Sequence, residues 1–440
     1  MPVIDRKIIN RNIDYDGLNR DDLFSLIDRW KFLLTAKYNA KKGQILALGI
    51  MSVNPNHVAC MFAAAELGMK LLMVTKPIAR ETIHATKMGI FGPVDITVAE
   101  DYLRHEDYHM EMFERYSHHI CWESEIDSIG KIVDLRVGEK ISENDIFLFA
   151  STSGTTGESK PAYYTHGDLY QIIMRNITVF AYKPTDIIQH TVNMHHASSI
   201  MHSLLPALVS VNTHYYGYIT PFDIGMKNMS PEYFIEEMWY KRGVNRILLN
   251  TDPWFLKLSD EFIVDRPLII TVCTGTTATE EHYKFCRDNP VELIFHYGAV
   301  DVGGPILVDH IKYDSIYEPN KLGAMADDFY RLRIEDSPKV QCDLWQGDKF
   351  LSDRILERDG LFYHEGREAP TEMENLIREQ LGDFTIIDKT LVLWDQQELL
   401  DFKSNTGNLN YYFDKIVCLN KEKFIVDTKI SIEQLRAYLE

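Results

Sequence analysis

The stretch Ser151-Thr152-Ser153-Gly154-Thr155-Thr156-Gly157-Glu158-Ser159-Lys160-Pro161 directly follows the apolar run Ile146-Phe147-Leu148-Phe149-Ala150. Its chemistry suits a phosphate group. Gly154 and Gly157 let backbone N–H groups turn inward, the Ser and Thr hydroxyls donate hydrogen bonds, and Lys160 adds a compact positive charge. A solvated Ser/Thr-rich surface turn is the competing reading. The stretch is not the triphosphate P-loop, in which two glycines five residues apart precede Lys and Ser/Thr. Ser159 stands where the second glycine belongs, and Pro161 after Lys160 has no hydroxyl to offer Mg2+.

Further segments carry reactive or ligand-binding side chains: Met194-His195-His196-Ala197-Ser198-Ser199, Cys273-Thr274-Gly275-Thr276-Thr277, His296-Tyr297-Gly298-Ala299-Val300-Asp301, Gln346-Gly347-Asp348, the run from Arg358 to Arg367, and Asp427-Thr428-Lys429-Ile430. Singly, each has a plainer explanation. A lone histidine is more often a core residue, and a lysine near a C-terminus is usually a solvated one.

The elements that must position these segments alternate along the chain. Leu23, Leu26, Ile27, Trp30, Leu33 and Leu34 recur at helical spacing over 21–40, and Gly43 precedes a strand over 44–50. A helix over about 54–68 and a strand over 70–74 follow. The same rhythm returns as a helix over 230–242 and strands over 244–249, 267–273 and 291–296, the order that parallel α/β layers produce. Beyond Arg367 a helix over 370–381, short strands ending near 413–417 and a helix over 431–439 predict a small α+β domain. The expected organisation is therefore α/β: a large N-terminal domain of layered α/β subdomains over 1–367 and a small, mobile C-terminal lid domain over 368–440.

Composition limits the function classes. With 440 residues, 45% hydrophobic and 25% charged, the chain reads as an ordinary globular protein of two to three domains. The net charge of −19 disfavours nucleic acid and anionic lipid, so a polyanionic ligand must meet a local cluster of donors. No apolar run is long enough for a membrane span, and Met1-Pro2-Val3-Ile4-Asp5-Arg6-Lys7 does not resemble a secretory leader, so a cytoplasmic location is expected. Cys60, Cys121, Cys273, Cys286, Cys342 and Cys418 are widely spaced, as reduced packing thiols are.

In order and spacing these segments resemble the motifs of the adenylate-forming superfamily: the acyl-CoA synthetases, luciferases and nonribosomal peptide adenylation domains. The 151–160 loop resembles that family's hydroxyl-rich signature, with Ser159 replacing its usual proline, and Thr165-His166 follows as expected. The resemblance implies ATP and Mg2+ as cofactors. Thr152, Ser153, Gly154, Thr155, Thr156, Gly157 and Lys160 would hold the phosphates, and Gly275, Thr276, Tyr297 and Gly298 the adenine side. Asp348 and Arg367 would meet the ribose, while Asp301 would bind the metal. Lys429 would touch the substrate carboxylate and α-phosphate together, and His196, Ser199, Thr274 and His296 would line the acid pocket. Val300 and Asp301 depart from the family's Thr-Glu, but aspartate remains a hard-oxygen ligand for Mg2+.

The implied function is activation of a small carboxylic acid as an acyl-adenylate with release of pyrophosphate. No general base is needed, because the attacking carboxylate is already ionised. Amino-acid-activating members usually carry aspartate where His196 falls, so an acid without an α-amino group is implied. The acyl group would pass to a thiol of CoA or of a carrier-protein partner. After Arg367 the family's usual hairpin is missing from the sequence, which leaves open an amine acceptor, or a nucleotide-binding protein without catalysis.

Overall fold

The computed structural model describes residues 3–49, 54–74, 94–101, 113–130, 132, 140–151, 161–190, 198–211, 214–216, 239–249, 264–272, 277–299, 302–334, 338–342, 349–351, 353–367, 384–387, 390–393 and 415–418. Its first sheet contains β1 (Ile45–Gly49), β2 (Lys70–Val74), β3 (Val94–Ala99), β4 (Ser117–Trp122), β5 (Ile146–Ser151) and β6 (Pro161–Thr165), in the order β4-β3-β1-β2-β5-β6. All neighbours are parallel except β5 and β6. The near-continuous apolar runs of β1 and β5 follow from this, since a parallel strand is covered on both faces.

The second sheet has eleven strands. At its centre β7 (Ile188–His190), β8 (His214–Tyr216), β9 (Arg246–Leu249), β10 (Leu268–Val272) and β11 (Val291–Ala299) run parallel in the order β8-β7-β9-β10-β11. Beyond β11 the sheet turns antiparallel through β12 (Gly304–Ile311), β13 (Lys321–Met325), and the hairpin β14 (Asp353–Arg358) and β15 (Leu361–Arg367). This is the expected α/β layering. β9 starts at Arg246 rather than at 244, and β11 runs on to Ala299 rather than stopping at His296. Pairing with β12 supplies ladder partners that the isolated strand pattern could not show.

The helices end where local chemistry ends them. α1 (Arg20–Ala36) is capped by Asn19, whose side chain accepts the N–H groups of Asp21 and Asp22. It stops four residues before the expected end, and Asn39 adopts a φ of 53°. α2 (Pro55–Glu66) has Asn54 as cap and proline in its first turn. It closes in a Schellman motif: Gly68, at φ 69°, donates to the Ala65 carbonyl and Met69 to that of Ala64. α3 (His166–Val179) and α4 (Leu205–Ser210) follow.

One core joins the two sheets. Leu46, Val98 and Phe147 from the first and Ile188, Leu248 and Ile294 from the second share a buried cluster with Trp30, Phe62 and Ile172 of α1, α2 and α3. Cys60, Cys121, Cys286 and Cys342 are free and buried. Burial pushes the Cys121 and Cys286 thiols up to about 12, so neither offers a thiolate nucleophile at neutral pH. Phe384–Ile387, Thr390–Leu393 and Lys415–Cys418 form a separate three-stranded sheet. The helices expected over 370–381 and 431–439, and most of that over 230–242, lie outside the described residues.

Candidate active site

In an open parallel sheet, ligands gather outside the carboxyl ends of the strands. His190, Leu248, Thr271 and Ile294 form one row across β7, β9, β10 and β11. From this edge the chain continues into 191–197, which includes His196, into 273–276, which includes Thr274, Gly275 and Thr276, and through Tyr297 and Gly298 to Asp301. Segments scattered over about a hundred residues of sequence thus leave one side of one sheet. His196, Thr274, Gly275, Thr276 and Asp301 themselves lie outside the described residues.

The hydroxyl-rich loop has a defined frame. Ser151 at the end of β5 stands opposite Pro161 at the start of β6. Thr152, Ser153, Gly154, Thr155, Thr156, Gly157 and Lys160 lie outside the described residues, as do Asp348 and Lys429. The Thr165-His166 pair that follows has structural work. Thr165 and Asp168 form a capping box, Asp168 N–H to Thr165 Oγ1 at 3.1 Å and Thr165 N–H to Asp168 Oδ2 at 3.2 Å. His166 Nδ1 accepts the Ile4 N–H at 3.1 Å while its ring stacks on Phe147. Burial lowers its pKa to about 4, so it is a neutral acceptor that ties the N-terminal segment to α3.

Ser199 and His296, two expected acid-pocket residues, both sit at this edge. Ser199 opens a π-helical turn, Ser199–Leu204, recognisable from the Leu205 N–H donating to the Ile200 carbonyl. Such turns widen a helix and often mark functional positions. Ser199 Oγ lies 2.9 Å from His190 Nε2, with both residues fully buried. His202, one turn on, packs edge-on against His296 with ring centroids 4.9 Å apart, and Phe180 covers both rings. Neither ring nitrogen of His296 has a hydrogen-bond partner among the described residues. Burial, with the Arg175 charge second, lowers His296 to about 4, and burial holds His202 well below its ordinary value. Both rings are therefore neutral near pH 7.

Tyr297 and Gly298 occupy a bulge, since the register with β12 shifts between them. Tyr297 is buried, and its hydroxyl donates to Asp353 Oδ2 at 2.6 Å. A Cβ on Gly298 would stand 2.4 Å from the Gly304 carbonyl oxygen, so the close approach of the two strands requires glycine there. Arg367 ends β15 with its backbone opposite Asp353. Its side chain is not among those described.

The turn between β11 and β12, which contains Asp301, is clamped from below. Val302 and Gly303 both donate to the Ala299 carbonyl, and Gly303 has a φ of 83°. Tyr330 donates its hydroxyl to the Val302 carbonyl at 2.9 Å. Arg175, buried on α3, donates to the Pro305 carbonyl at 2.7 Å and grips Asp327 through two bonds of 2.6 and 2.9 Å. Its guanidinium also lies over the Tyr330 ring at 4.5 Å. Sequence reasoning missed Arg175, His202, Tyr330 and Asp353. Only Arg175 left a signal, a cation on the helical stripe of Leu169, Ile172, Ile173 and Asn176 that the fold buries.

Comparison with known proteins completes the picture. The structure resembles O-succinylbenzoate coenzyme A synthetase (MenE) from Bacillus subtilis in complex with ATP and magnesium ion, with a TM-score of 0.66, 15% identity, and 93% of this chain and 92% of that chain covered. It resembles ATP-bound MatB from Rhodopseudomonas palustris at a TM-score of 0.64 and 13% identity, covering 93% and 92%. A third likeness is to McyG A-PCP complexed with phenylalanyl-adenylate, at 0.69 and 13%, covering 99% and 95%. At these identities the likeness establishes the fold. No curated protein matches the sequence. Among the described residues no helix is long and apolar enough to cross a membrane. Residues 32–299 match the AMP-binding enzyme family, and with that match covering well over half of a chain already folded in this way, the protein belongs to that family.

Proposed function

We propose that the protein is an ATP-dependent ligase that activates a carboxylic acid as its acyl-adenylate and then passes the acyl group to a thiol, that of CoA or of a carrier protein's pantetheine. The observation that carries this reading is that β7, β10 and β11, the strands that lead into 191–197, 273–276 and 300–301, end at one carboxyl edge of a parallel sheet, in a chain of the AMP-binding enzyme family. The names of the similar structures support it: a coenzyme A synthetase with ATP and magnesium, and an adenylation domain with its carrier domain and an aminoacyl-adenylate.

In the first step a carboxylate oxygen attacks the α-phosphorus and the bond to pyrophosphate breaks. Two anions must meet, so donors and cations have to be in place beforehand. Thr152, Ser153, Gly154, Thr155, Thr156, Gly157 and Lys160 would hold the β- and γ-phosphates. Gly275, Thr276, Tyr297 and Gly298 would form the adenine side, with Asp348 and Arg367 at the ribose. Asp301, a hard-oxygen ligand, would hold Mg2+ together with the nucleotide's own phosphate oxygens. Bound there, Mg2+ neutralises phosphate charge. Lys429, carried by the lid domain over 368–440, would align carboxylate and α-phosphate. In the second step the thiol sulfur attacks the acyl carbon, AMP leaves with the carboxyl-derived oxygen, and the thiol proton passes to solvent.

His196, Ser199, Thr274 and His296 would line the acid pocket. Neutral His296 offers no charge for a substrate ammonium, which supports an acid without an α-amino group. In this reading the reaction would take place in the cytoplasm, the location that the sequence leads one to expect. Acid-dependent ATP–pyrophosphate exchange over a panel of carboxylic acids tests the reading. Exchange is expected with at least one acid, and Lys429→Ala should cut its rate far more than it weakens ATP binding, because that contact matters mainly in the transition state. Folded protein with Mg2+ that exchanges with no acid would refute the proposal.

A further inference from the structure

His296 is buried with its hydrogen-bonding capacity unspent. It lies within β11, short of the strand's end, is 7% exposed, and neither of its ring nitrogens has a partner among the described residues. Phe180 and the edge of His202 enclose the ring, with centroids 5.2 and 4.9 Å away. Other polar groups of this region are engaged: Ser199 with His190, Tyr297 with Asp353, and Arg175 with Asp327 and the Pro305 carbonyl. A buried donor or acceptor left unmade is destabilising, whereas an apolar group of the same shape is nearly neutral. Phenylalanine would fill this place against Phe180 without that penalty, so packing does not account for an imidazole here.

The ring restricts what could complete it. A neutral imidazole presents one N–H donor and one bare nitrogen, and burial keeps this one neutral at pH 7. An alkyl group would leave both unmet. A charged group, carboxylate or ammonium, would give up its water for a single neutral hydrogen bond, and Arg175, the charge that acts on this ring, is already paired with Asp327. A carbonyl only accepts, so it suits one tautomer alone. A hydroxyl is neutral and both donates and accepts, so it pairs with whichever ring nitrogen it reaches.

We infer that the acid is a hydroxy acid, and that His296 selects it through a hydrogen bond to a hydroxyl at the end remote from the reacting carboxylate. This rests on the ligase reading, which places the nucleotide beyond His296, at Tyr297 and Gly298, and so puts the reacting carboxylate on that side.

The test is ATP–pyrophosphate exchange by the full chain with matched acids: hydroxy-substituted alkanoates and benzoates, each beside the unsubstituted, amino and dicarboxylic counterparts of the same skeleton. Wild type should use its best hydroxy acid with a kcat/KM about tenfold or more above each counterpart, because a site built to bond a hydroxyl rejects the analogue that lacks it. His296→Phe, which retains the bulk of the ring and removes both nitrogens, should bring that ratio close to unity. His296→Gln, which again offers a donor and an acceptor, should keep more of the preference than His296→Phe does. A packing role would lower the melting temperature and all rates together and leave the ratio where it was. A wild-type ratio below about tenfold, or a ratio that His296→Phe leaves unchanged, overturns the inference. If His296→Phe does not fold, the wild-type ratio decides alone. Wild type that exchanges with no acid refutes the ligase reading, whereas wild type that exchanges without preferring the hydroxyl refutes this inference only.

Discussion

Replacing Arg175 by methionine should damage stability and site together. The guanidinium makes four hydrogen bonds, two to Asp327, one to the Pro305 carbonyl and a long one of 3.5 Å to Asn176 Oδ1, in a side chain that is 5% exposed. Methionine retains most of the volume and none of the donors. Breaking a fully buried ion pair costs about 3–5 kcal/mol. The Asp327 side chain is a third exposed and regains water when released, which reduces the penalty. The orphaned Pro305 carbonyl adds about 1 kcal/mol or more. The expected loss is about 2–4 kcal/mol, read from urea unfolding as a lower midpoint at unchanged slope. A domain with 5–15 kcal/mol of stability survives this, so the folded variant can be assayed. The clamp supports the turn that carries Asp301, and a displacement of about 1 Å there should slow acid-dependent pyrophosphate exchange about a hundredfold. Asp327→Asn, which preserves the shape, should lose less than half as much on both measures. A stability loss under about 1 kcal/mol, or full exchange activity in a destabilised Arg175→Met protein, would refute the argument.

Two further outcomes follow from the same region. Gly298→Ala forces a Cβ to within 2.4 Å of the Gly304 backbone, so β11 and β12 must part; a loss of about 2 kcal/mol or more is expected, and an alanine variant with wild-type melting temperature would show that the strands yield freely. Stability should also rise with pH between about 4 and 6.5. His166 and His296 have folded-state pKa values lowered to about 4, so across that window the unfolded chain binds protons that the folded chain refuses. His296 alone contributes on the order of 3 kcal/mol over the full window, and urea midpoints equal at pH 7 and pH 5 would contradict the burial of these rings.

The signals for the site that the sequence carries are local: the glycine and hydroxyl content of 151–160 is a short-range pattern, although most of the residues that it singles out lie outside the described ones. Helix ends were less legible. The expected end at 40 moved to Ala36 because a left-handed residue at Asn39 leaves the helix before its apolar pattern fades. Strand ends moved for another reason: β11 extends to Ala299 because β12 pairs with it.

The sequence by itself determined the alternation of helix and strand, the layered α/β class and the order of the chemical segments, because hydrophobic period and turn chemistry act over one or two turns of chain. Only the tertiary structure decided which groups meet. Arg175 reaches Pro305 and Asp327 across 130 and 152 positions, and Tyr297 reaches Asp353 across 56. The His202–His296 pair likewise forms only when the π-helical turn is packed against the end of β11. Such contacts leave no periodic trace, since a buried ion pair or a shared hydrogen bond depends on the path of the sheet between its partners and not on the residues beside them.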